Sequence, residues 1–196
     1  YLAHSTFPLK IGHKALVHAG AGGVGLLLIQ IAKKLGATVY ATCGSEAKAG
    51  LAQSAGADEA IVYSQSDFEA EVKRLTGGRG VDVVYDSVGA DTFQKSLNCL
   101  RPRGYIVIYG QSSGPVPAVE LSQLVSKGSL FLTRPSLAHY SATREEILSR
   151  TSDLFRCLAG GELKLKVDHV FPLAEAAKAH EELAGRRTTG KVVLIP

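Results

Sequence analysis

The chain has 196 residues, enough for one large domain or for one domain with an appendage. Its content of 45% hydrophobic and 20% charged residues is typical of a globular protein. No apolar run approaches the roughly 20 residues needed to cross a bilayer, and the first residues do not form a signal peptide. The net charge of +4 suits a small anionic ligand but is too weak to indicate a nucleic-acid partner.

The cysteine content bears on the cellular compartment. Cys43, Cys99 and Cys157 are widely spaced and form neither a metal-ligand pattern nor a disulfide framework. This favours a reducing, cytoplasmic environment. The chain also begins at Tyr1 and contains no methionine, which we interpret as the sign of a fragment or a processed chain.

Six apolar runs predict buried strands. They lie at residues 14–20, 38–43, 60–63, 81–86, 104–110 and 129–133. Apolar runs without polar alternation are typical of parallel strands that are covered on both faces. Because helical patterns separate the strands, the predicted fold is α/β, a doubly wound six-stranded parallel sheet with right-handed connections.

Helix signals fill the connections between these strands. The helix after the first strand is predicted to end at Gly36, and its predicted core face comprises Val24, Leu27, Leu28, Ile31 and Leu35. Ser45 is the expected N-cap of a second helix that ends at Gly56. "SDFE" (66–69) predicts a capping box for a third. Further helices are expected at about 91–100 and 120–127.

Residues 141–196 form a tail of different character. "TREE" (143–146) predicts the start of a helix. The expected core side of that helix comprises Ile147, Leu148, Leu154, Phe155 and Leu158. A partly extended segment, a helix over about 173–184 and a final strand "GKVVLIP" follow. A completed six-stranded sheet offers that strand no obvious partner.

The stretch "HAGAGGVG" (18–25) has glycines at 20, 22 and 25, in the pattern G-x-G-x-x-G. On this interpretation, Gly20 allows a tight turn, Gly22 lets the backbone approach a pyrophosphate, and Gly25 lets the helix pack on the strand. The alternative is a turn that is merely rich in glycine. Because a strand precedes the motif and an amphipathic helix follows it, a dinucleotide-binding Rossmann turn is favoured.

The end of the second strand bears on the choice of dinucleotide. In an NAD site, an Asp or Glu at this position usually hydrogen-bonds the ribose 2′-hydroxyl. This strand ends instead in Thr42-Cys43-Gly44. Ser45 and Lys48 follow and suit a 2′-phosphate, which favours NADPH over NADH. In the alternative interpretation, Ser45 is only an N-cap and Lys48 only a surface lysine.

A competing motif is "GQSSG" (110–114), which fits the G-x-S-x-G nucleophile elbow of α/β-hydrolases. Ser112 would be the nucleophile, with Asp153 or Asp168 and then His169 or His180 in the expected order. The elbow needs a helix directly after the serine, and "GPVP" opposes one. The same loop would lie beside a cofactor crevice in a Rossmann domain.

Other polar residues give weaker signals. The six histidines show no metal-binding spacing, and His180 shares a helix face with Leu173 and Ala176, which predicts a packed histidine. Asp86, at the end of the fourth strand, either caps the next turn or lines the cofactor crevice. The basic loop "GRRTTGK" (185–191) is either a solvated turn or a segment that reaches phosphate.

Four motifs in order, "HAGAGGVG", "VVYDSVG", "YGQSSG" and "LTRPSL", resemble those of the zinc-free quinone oxidoreductases. These enzymes, with the related zeta-crystallins, belong to the medium-chain dehydrogenase/reductase superfamily. The resemblance runs from about Ser5 to Pro196. It implies an NADPH-binding Rossmann domain at 1–140 and a tail at 141–196 that returns toward a GroES-like catalytic domain absent from this sequence.

The resemblance also implies which residues bind the cofactor. Together with the motifs, it gives these candidate NADPH-binding residues: Gly20, Gly22, Gly23, Val24, Gly25, Gly44, Ser45, Lys48, Tyr63, Val88, Gly110, Gln111, Ser112 and Arg186. Lys48 and Tyr63 would hold the 2′-phosphate. No catalytic residue and no metal ligand are assigned.

The activity implied is hydride transfer from NADPH to a quinone in a cytoplasmic homodimer, paired through the strand near Phe131–Thr133. A near alternative is an enoyl or 2-alkenal reductase with another small electrophilic substrate. A non-catalytic NADPH-binding protein, crystallin-like or RNA-binding, is a further alternative. No basic stripe or aromatic-rich strand supports RNA binding.

Overall fold

A computed structural model describes residues 1–196 and contains the six-stranded parallel sheet. Its strands are β1 Lys14–Val17, β2 Thr38–Cys43, β3 Glu59–Val62, β4 Val81–Asp86, β5 Leu100–Ile108 and β6 Phe131–Thr133. The strand order is β3-β2-β1-β4-β5-β6, and every neighbouring pair is parallel. This order confirms the doubly wound Rossmann sheet. Because the winding reverses between β1 and β4, a crevice opens at their carboxyl ends.

Eight α-helices surround the strands. They are α1 Gly25–Lys34, α2 Glu46–Ser54, α3 Phe68–Leu75, α4 Phe93–Asn98, α5 Leu121–Ser126, α6 Leu137–Tyr140, α7 Arg144–Ala159 and α8 Ala176–Ala184. A π-helical turn, Leu2–Thr6, and a 3-10 turn, Leu173–Glu175, complete the helical elements. None of the helices has the length and apolar character of a membrane span.

The sheet separates two apolar cores. Ala15 and Val17 of β1 pack into one core with α1 and α2, while Leu16 packs into the other, where Phe68 of α3 and Phe93 of α4 lie. Successive side chains of a strand point to opposite faces, so a strand covered on both faces is apolar throughout. The apolar runs of the sequence therefore predicted the layers correctly.

The predicted core face of α1 is only partly right. Leu28 is buried as expected, but Ile29 and Ala32 are the other fully buried positions of that face, and Val24 is 44% exposed. Leu27, Ile31 and Leu35 are half-buried. Gln30, Lys33 and Lys34 mark the polar side of this helix, but apolar residues cover the rest of its circumference, so their spacing could not distinguish which part of that broad face meets the sheet.

Of the predicted caps of α2 and α3, one is correct and one is wrong. Ser45 caps α2 as predicted, because its side chain accepts a hydrogen bond from the Lys48 N–H. The "SDFE" capping box is wrong: Asp67 is the N-cap of α3 and accepts from the Glu69 N–H at 2.8 Å. The Ser66 N–H bonds to the carbonyl of Val62, so this serine still belongs to the turn after β3.

The final strand lies outside the six-stranded sheet, as expected, and finds its partner elsewhere in the chain. β7 Val167–Pro172 and β8 Lys191–Ile195 form a separate two-stranded parallel sheet, connected through α8. The two strands of this strand–helix–strand unit pair with each other, so their backbone N–H and C=O groups find hydrogen-bond partners without the main sheet.

Two predicted burials in the tail are also wrong. Ile147, Leu148, Leu154 and Phe155 of α7 are exposed, Phe155 to 67%, and Cys157 is the buried residue of this helix. His180 is exposed rather than packed. Helical periodicity shows that an apolar face exists, but it does not show that another element covers it.

Candidate functional site

A cavity of about 490 Å³ lies at the carboxyl ends of β1, β2 and β4, where the doubly wound topology predicts a ligand site. Its floor includes His18, Thr42 and Ser87, which end these strands or follow them directly. The volume is within the range of small-molecule and cofactor sites.

The glycine turn after β1 forms one wall of this cavity. Its left-handed residue is Ala19, with φ of 53°, and the Gly22 N–H closes the turn on the Ala19 carbonyl at 2.9 Å. Gly20, expected to permit the tight turn, has an ordinary φ. It is required for a different reason, because a Cβ there would lie 2.8 Å from the Cβ of Ala41 on β2.

Gly25 lets α1 start directly against this turn. A Cβ at Gly25 would lie 2.8 Å from the Gly20 carbonyl oxygen, so a side chain there would push the helix away. The N–H groups of Val24 and Gly25 have no hydrogen-bond acceptor in the chain. The first N–H groups of a helix carry partial positive charge, so this helix start can receive an anion.

The opposite wall is formed at the end of β2. The Tyr63 hydroxyl lies so close to Gly44 that a Cβ there would be 2.7 Å from it. Lys48 extends from the first turn of α2, and its ammonium donates to the carbonyl of Arg186 in the loop before β8. The fold thus brings Lys48, Tyr63 and Arg186 together from three distant parts of the chain.

Asp86 was expected either to cap the next turn or to line the cofactor crevice, and in the structure it caps the turn. Its carboxylate is fully buried and accepts from the N–H groups of Val88 and Gly89 at 2.7 and 3.0 Å. Its other oxygen accepts from the Thr92 hydroxyl at 2.7 Å. Asp86 therefore makes the loop after β4 rigid and does not line the cavity.

The loop after β5 packs closely on the loop after β4. The N–H groups of Ser112 and Ser113 donate to the carbonyls of Ser87 and Val88 at 3.0 and 2.8 Å. A Cβ at Gly110 would lie 2.8 Å from the Ser87 carbonyl oxygen. The glycines and serines of "YGQSSG" therefore serve this backbone pairing.

The structure contradicts the hydrolase hypothesis for Ser112. No helix follows this serine before α5, so the nucleophile elbow is absent. Ser112 has no histidine partner, and His169 accepts from the Thr189 N–H at 3.2 Å in the two-stranded sheet. A serine without an adjacent base is not activated as a nucleophile.

The candidate cofactor residues divide into two groups. The residues that line the cavity are Gly22, Gly44, Lys48, Tyr63, Val88, Ser112 and Arg186. The others lie around it: Gly20, Gly23, Val24, Gly25, Ser45, Gly110 and Gln111. Several of these have packing or capping roles instead, such as Ser45 at the N-terminus of α2 and Gly23 against Gly190.

His18 is a cavity residue that the sequence analysis missed. It is fully buried, and its ring nitrogens lie 2.9 Å from the hydroxyl oxygens of Thr42 and Ser96. Burial lowers the pKa of His18, and the charge of Asp86 opposes this shift only in part, so the ring is neutral at pH 7. Its place at the carboxyl end of β1 was the available signal.

Other lining residues were not among the candidate cofactor residues. They include Phe68, Asp91, Thr92, Lys95, Leu183 and Thr188, which come from loops and helix starts far apart in sequence. The chain contains no group of three or more His, Cys, Asp or Glu side chains arranged to hold a metal ion. Three cations line the cavity, Lys48, Lys95 and Arg186, and two of them pair with the lining carboxylates of Asp67 and Asp91.

Comparison with known proteins gives consistent matches. Residues 23–152 match the family model described as zinc-binding dehydrogenase. The whole chain is 48% identical to a 2-haloacrylate reductase of Burkholderia and 46% identical to quinone oxidoreductase 1 of Escherichia coli K12. It superposes on the crystal structure of Escherichia coli quinone oxidoreductase complexed with NADPH with a TM-score of 0.97 at 46% identity.

These relatives are longer than this chain. All of the chain is aligned in each match, but it spans 59% of the Burkholderia protein and 61% of the Escherichia coli protein. It likewise covers 61% of the chain in the NADPH complex.

Proposed function

Because this chain belongs to the zinc-binding dehydrogenase family, we propose that it is the cofactor-binding part of an NADPH:quinone oxidoreductase. The observation that carries this proposal is the convergence of Lys48, Tyr63 and Arg186 opposite the glycine turn. The similarity to a quinone oxidoreductase solved with NADPH supports it. Within the chain, we assign residues 1–140 to the NADPH-binding Rossmann domain and residues 141–196 to a tail that returns toward a catalytic domain and contributes Arg186 to the cofactor site.

The residues around the cavity fit this cofactor. The free N–H groups of Val24 and Gly25 provide the donors that a pyrophosphate needs at a helix N-terminus. The end of β2 carries no carboxylate that would bind a ribose 2′-hydroxyl and repel a phosphate. We assign the 2′-phosphate to Lys48 and Tyr63 and a further phosphate contact to Arg186.

When bound, NADPH supplies a hydride from C4 of its nicotinamide. The residues of this chain bind and orient the dinucleotide, and no protein nucleophile is needed. The paired loops 87–90 and 110–114 form a rigid wall. The N–H groups of Ser112 and Ser113 donate to the carbonyls of Ser87 and Val88, and the Ala90 N–H donates to the Gly114 carbonyl. A preformed wall keeps the cofactor in one orientation and excludes water.

The substrate that accepts the hydride is proposed to be a quinone. The similarity to a 2-haloacrylate reductase favours a second candidate, reduction of an activated double bond, as in enoyl or 2-alkenal substrates. Rates measured on the full-length protein, with a quinone and with an enone, distinguish the two. Turnover of the enone alone would contradict the quinone assignment.

We further propose that the enzyme works without zinc, in the cytoplasm, and as a homodimer. The resemblance to quinone oxidoreductases supports the first point. Three cysteines that are buried and unpaired support a reducing compartment. The exposed edge strand β6 supports the third.

Replacing Lys48 tests the choice of cofactor. We expect Lys48→Ala to raise the Kd for NADPH about tenfold to a hundredfold, because a charge-assisted hydrogen bond is lost. The Kd for NADH should change little, since NADH has no 2′-phosphate. Titration followed by cofactor fluorescence measures both constants. Lys178→Ala, at an exposed lysine outside the cavity, is the control. Equal weakening of both cofactors would contradict the 2′-phosphate role.

A further inference from the structure

Arg186 is held from two sides of the cavity. Its carbonyl accepts from the Lys48 ammonium on α2, and its guanidinium lies 3.8 Å from the Asp91 carboxylate in the loop between β4 and α4. Its own backbone is left-handed, with φ of 57°. A non-glycine residue in this conformation costs energy, and such residues often occur at ligand sites.

The loop that carries Arg186 is fixed at its far end. The Gly190 N–H donates to the carbonyl of Ala21 in the glycine turn at 3.1 Å. The Thr189 hydroxyl donates to Asp168 at 2.5 Å. Arg186 lies at the near end of this loop, and Asp91 is the charged side chain that its guanidinium approaches.

Asp91 provides a rigid support. Its N–H donates to the Ser113 hydroxyl at 3.0 Å, and the neighbouring Thr92 hydroxyl is bound by the buried carboxylate of Asp86. Asp91 also lines the cavity. A carboxylate at the rim of a site repels a polyanionic ligand, unless the carboxylate holds a cation that itself contacts the ligand.

We propose that Asp91 is a positioning residue for the cofactor, which holds the Arg186 guanidinium over the cavity. This inference rests on the proposed function, since it needs NADPH as the ligand. An arginine that is ordered before binding loses less side-chain entropy when it contacts phosphate. The ion pair is exposed, and pairs of this kind contribute little, so the effect on affinity is modest.

Substitution of Asp91 tests the proposal. Asp91→Asn is expected to raise the Kd for NADPH about threefold to fivefold, mainly through faster dissociation, measured by titration and stopped-flow fluorescence. Asp91→Glu, which keeps the carboxylate, should recover part of the loss. In the Arg186→Ala background, Asp91→Asn should have no further weakening effect. Asp153→Asn removes another exposed aspartate that pairs with an arginine outside this cavity and serves as the matched control.

Two results would overturn the inference. One is tighter or unchanged NADPH binding by Asp91→Asn, because the carboxylate would then only repel the cofactor or have no role. The other is equal weakening with and without Arg186, because Asp91 would then act independently of it. Failure of the unmodified protein to bind NADPH would contradict the proposed function as well. NADPH binding that depends on Lys48 but not on Asp91 would contradict this inference alone.

Discussion

At the scale of single residues, the glycine turn shows that one motif can have several physical causes. Position 20 has no space for a side chain because β2 lies close to it. Position 25 has none because α1 starts against the turn. The left-handed position falls on Ala19, which no motif marks. The sequence therefore located this turn correctly but assigned its conformational strain to the wrong residue.

Asp82, at the opposite end of the sheet from the cavity, has a purely structural role. Its side chain is 3% exposed and accepts from the Lys14 N–H at 2.7 Å and from the Arg101 guanidinium at 2.5 Å. Burial acts to raise the pKa of Asp82, but these donors outweigh it and hold the pKa below its usual range. The ionised form is thus stabilised by folding.

We expect Asp82→Asn to lower the free energy of unfolding at pH 7 by about 2 kcal/mol, because hydrogen bonds to a charge are lost. A depressed pKa gives stability that is present above the unfolded value near 3.9 and is lost as pH falls through the folded value. Urea unfolding at pH 7 and at pH 3 should show the difference from the unmodified protein shrinking at the lower pH. An equal difference at both would contradict this role.

At the scale of elements, α7 is defined by its first turn more than by its packing. Thr143 accepts from the Glu146 N–H at 3.2 Å, and Glu146 accepts in return from the Thr143 N–H at 3.3 Å. The apolar residues of this helix are largely exposed. We therefore expect the capping box to contribute to the order of this helix.

Thr143→Ala should weaken the start of α7 by about 1 kcal/mol, because an N-cap hydroxyl is lost. Amide hydrogen exchange in the first two turns of α7 should then be about fivefold faster. Thr143→Ser keeps the hydroxyl and is the control. Unchanged exchange in the alanine variant would show that packing, rather than the cap, holds this helix.

At the scale of the whole molecule, the sheet ends in an unprotected edge. β6 pairs only with β5, Phe131 stacks on Tyr105 with ring centroids 4.4 Å apart, and Leu132 is 37% exposed. An apolar edge strand without charge can pair with a second copy. The proposed homodimer uses this edge.

Leu132→Lys should shift the protein from dimer to monomer, because a charged side chain opposes pairing of two edges. Sedimentation equilibrium measures the association state. Leu173→Lys introduces the same charge at an exposed position outside this edge and is the control. A dimer that persists in Leu132→Lys but not in Leu173→Lys would place the interface elsewhere.

The sequence predicted the elements that depend on local signals. Ser45 and Thr143 were recognised as caps because an N-cap bonds only a few residues along the chain. Part of the site was predictable for the same reason, since the glycine turn and Lys48 lie close to a strand end. Asp91 was missed because its partner Arg186 is 95 residues away along the chain. His18 lies at a strand end, but its burial and its contacts with Thr42 and Ser96, 24 and 78 residues away, could not be predicted locally.

The sequence by itself determined the doubly wound sheet, the dinucleotide turn and the absence of an acid at the end of β2. These follow from apolar periodicity, glycine spacing and residue identity, which are local properties. Only the tertiary structure decided that β8 pairs with β7, that the apolar face of α7 is exposed, and that Arg186 meets Lys48 and Asp91. Those outcomes depend on which distant surfaces the folded chain brings into contact, and no local pattern encodes that choice.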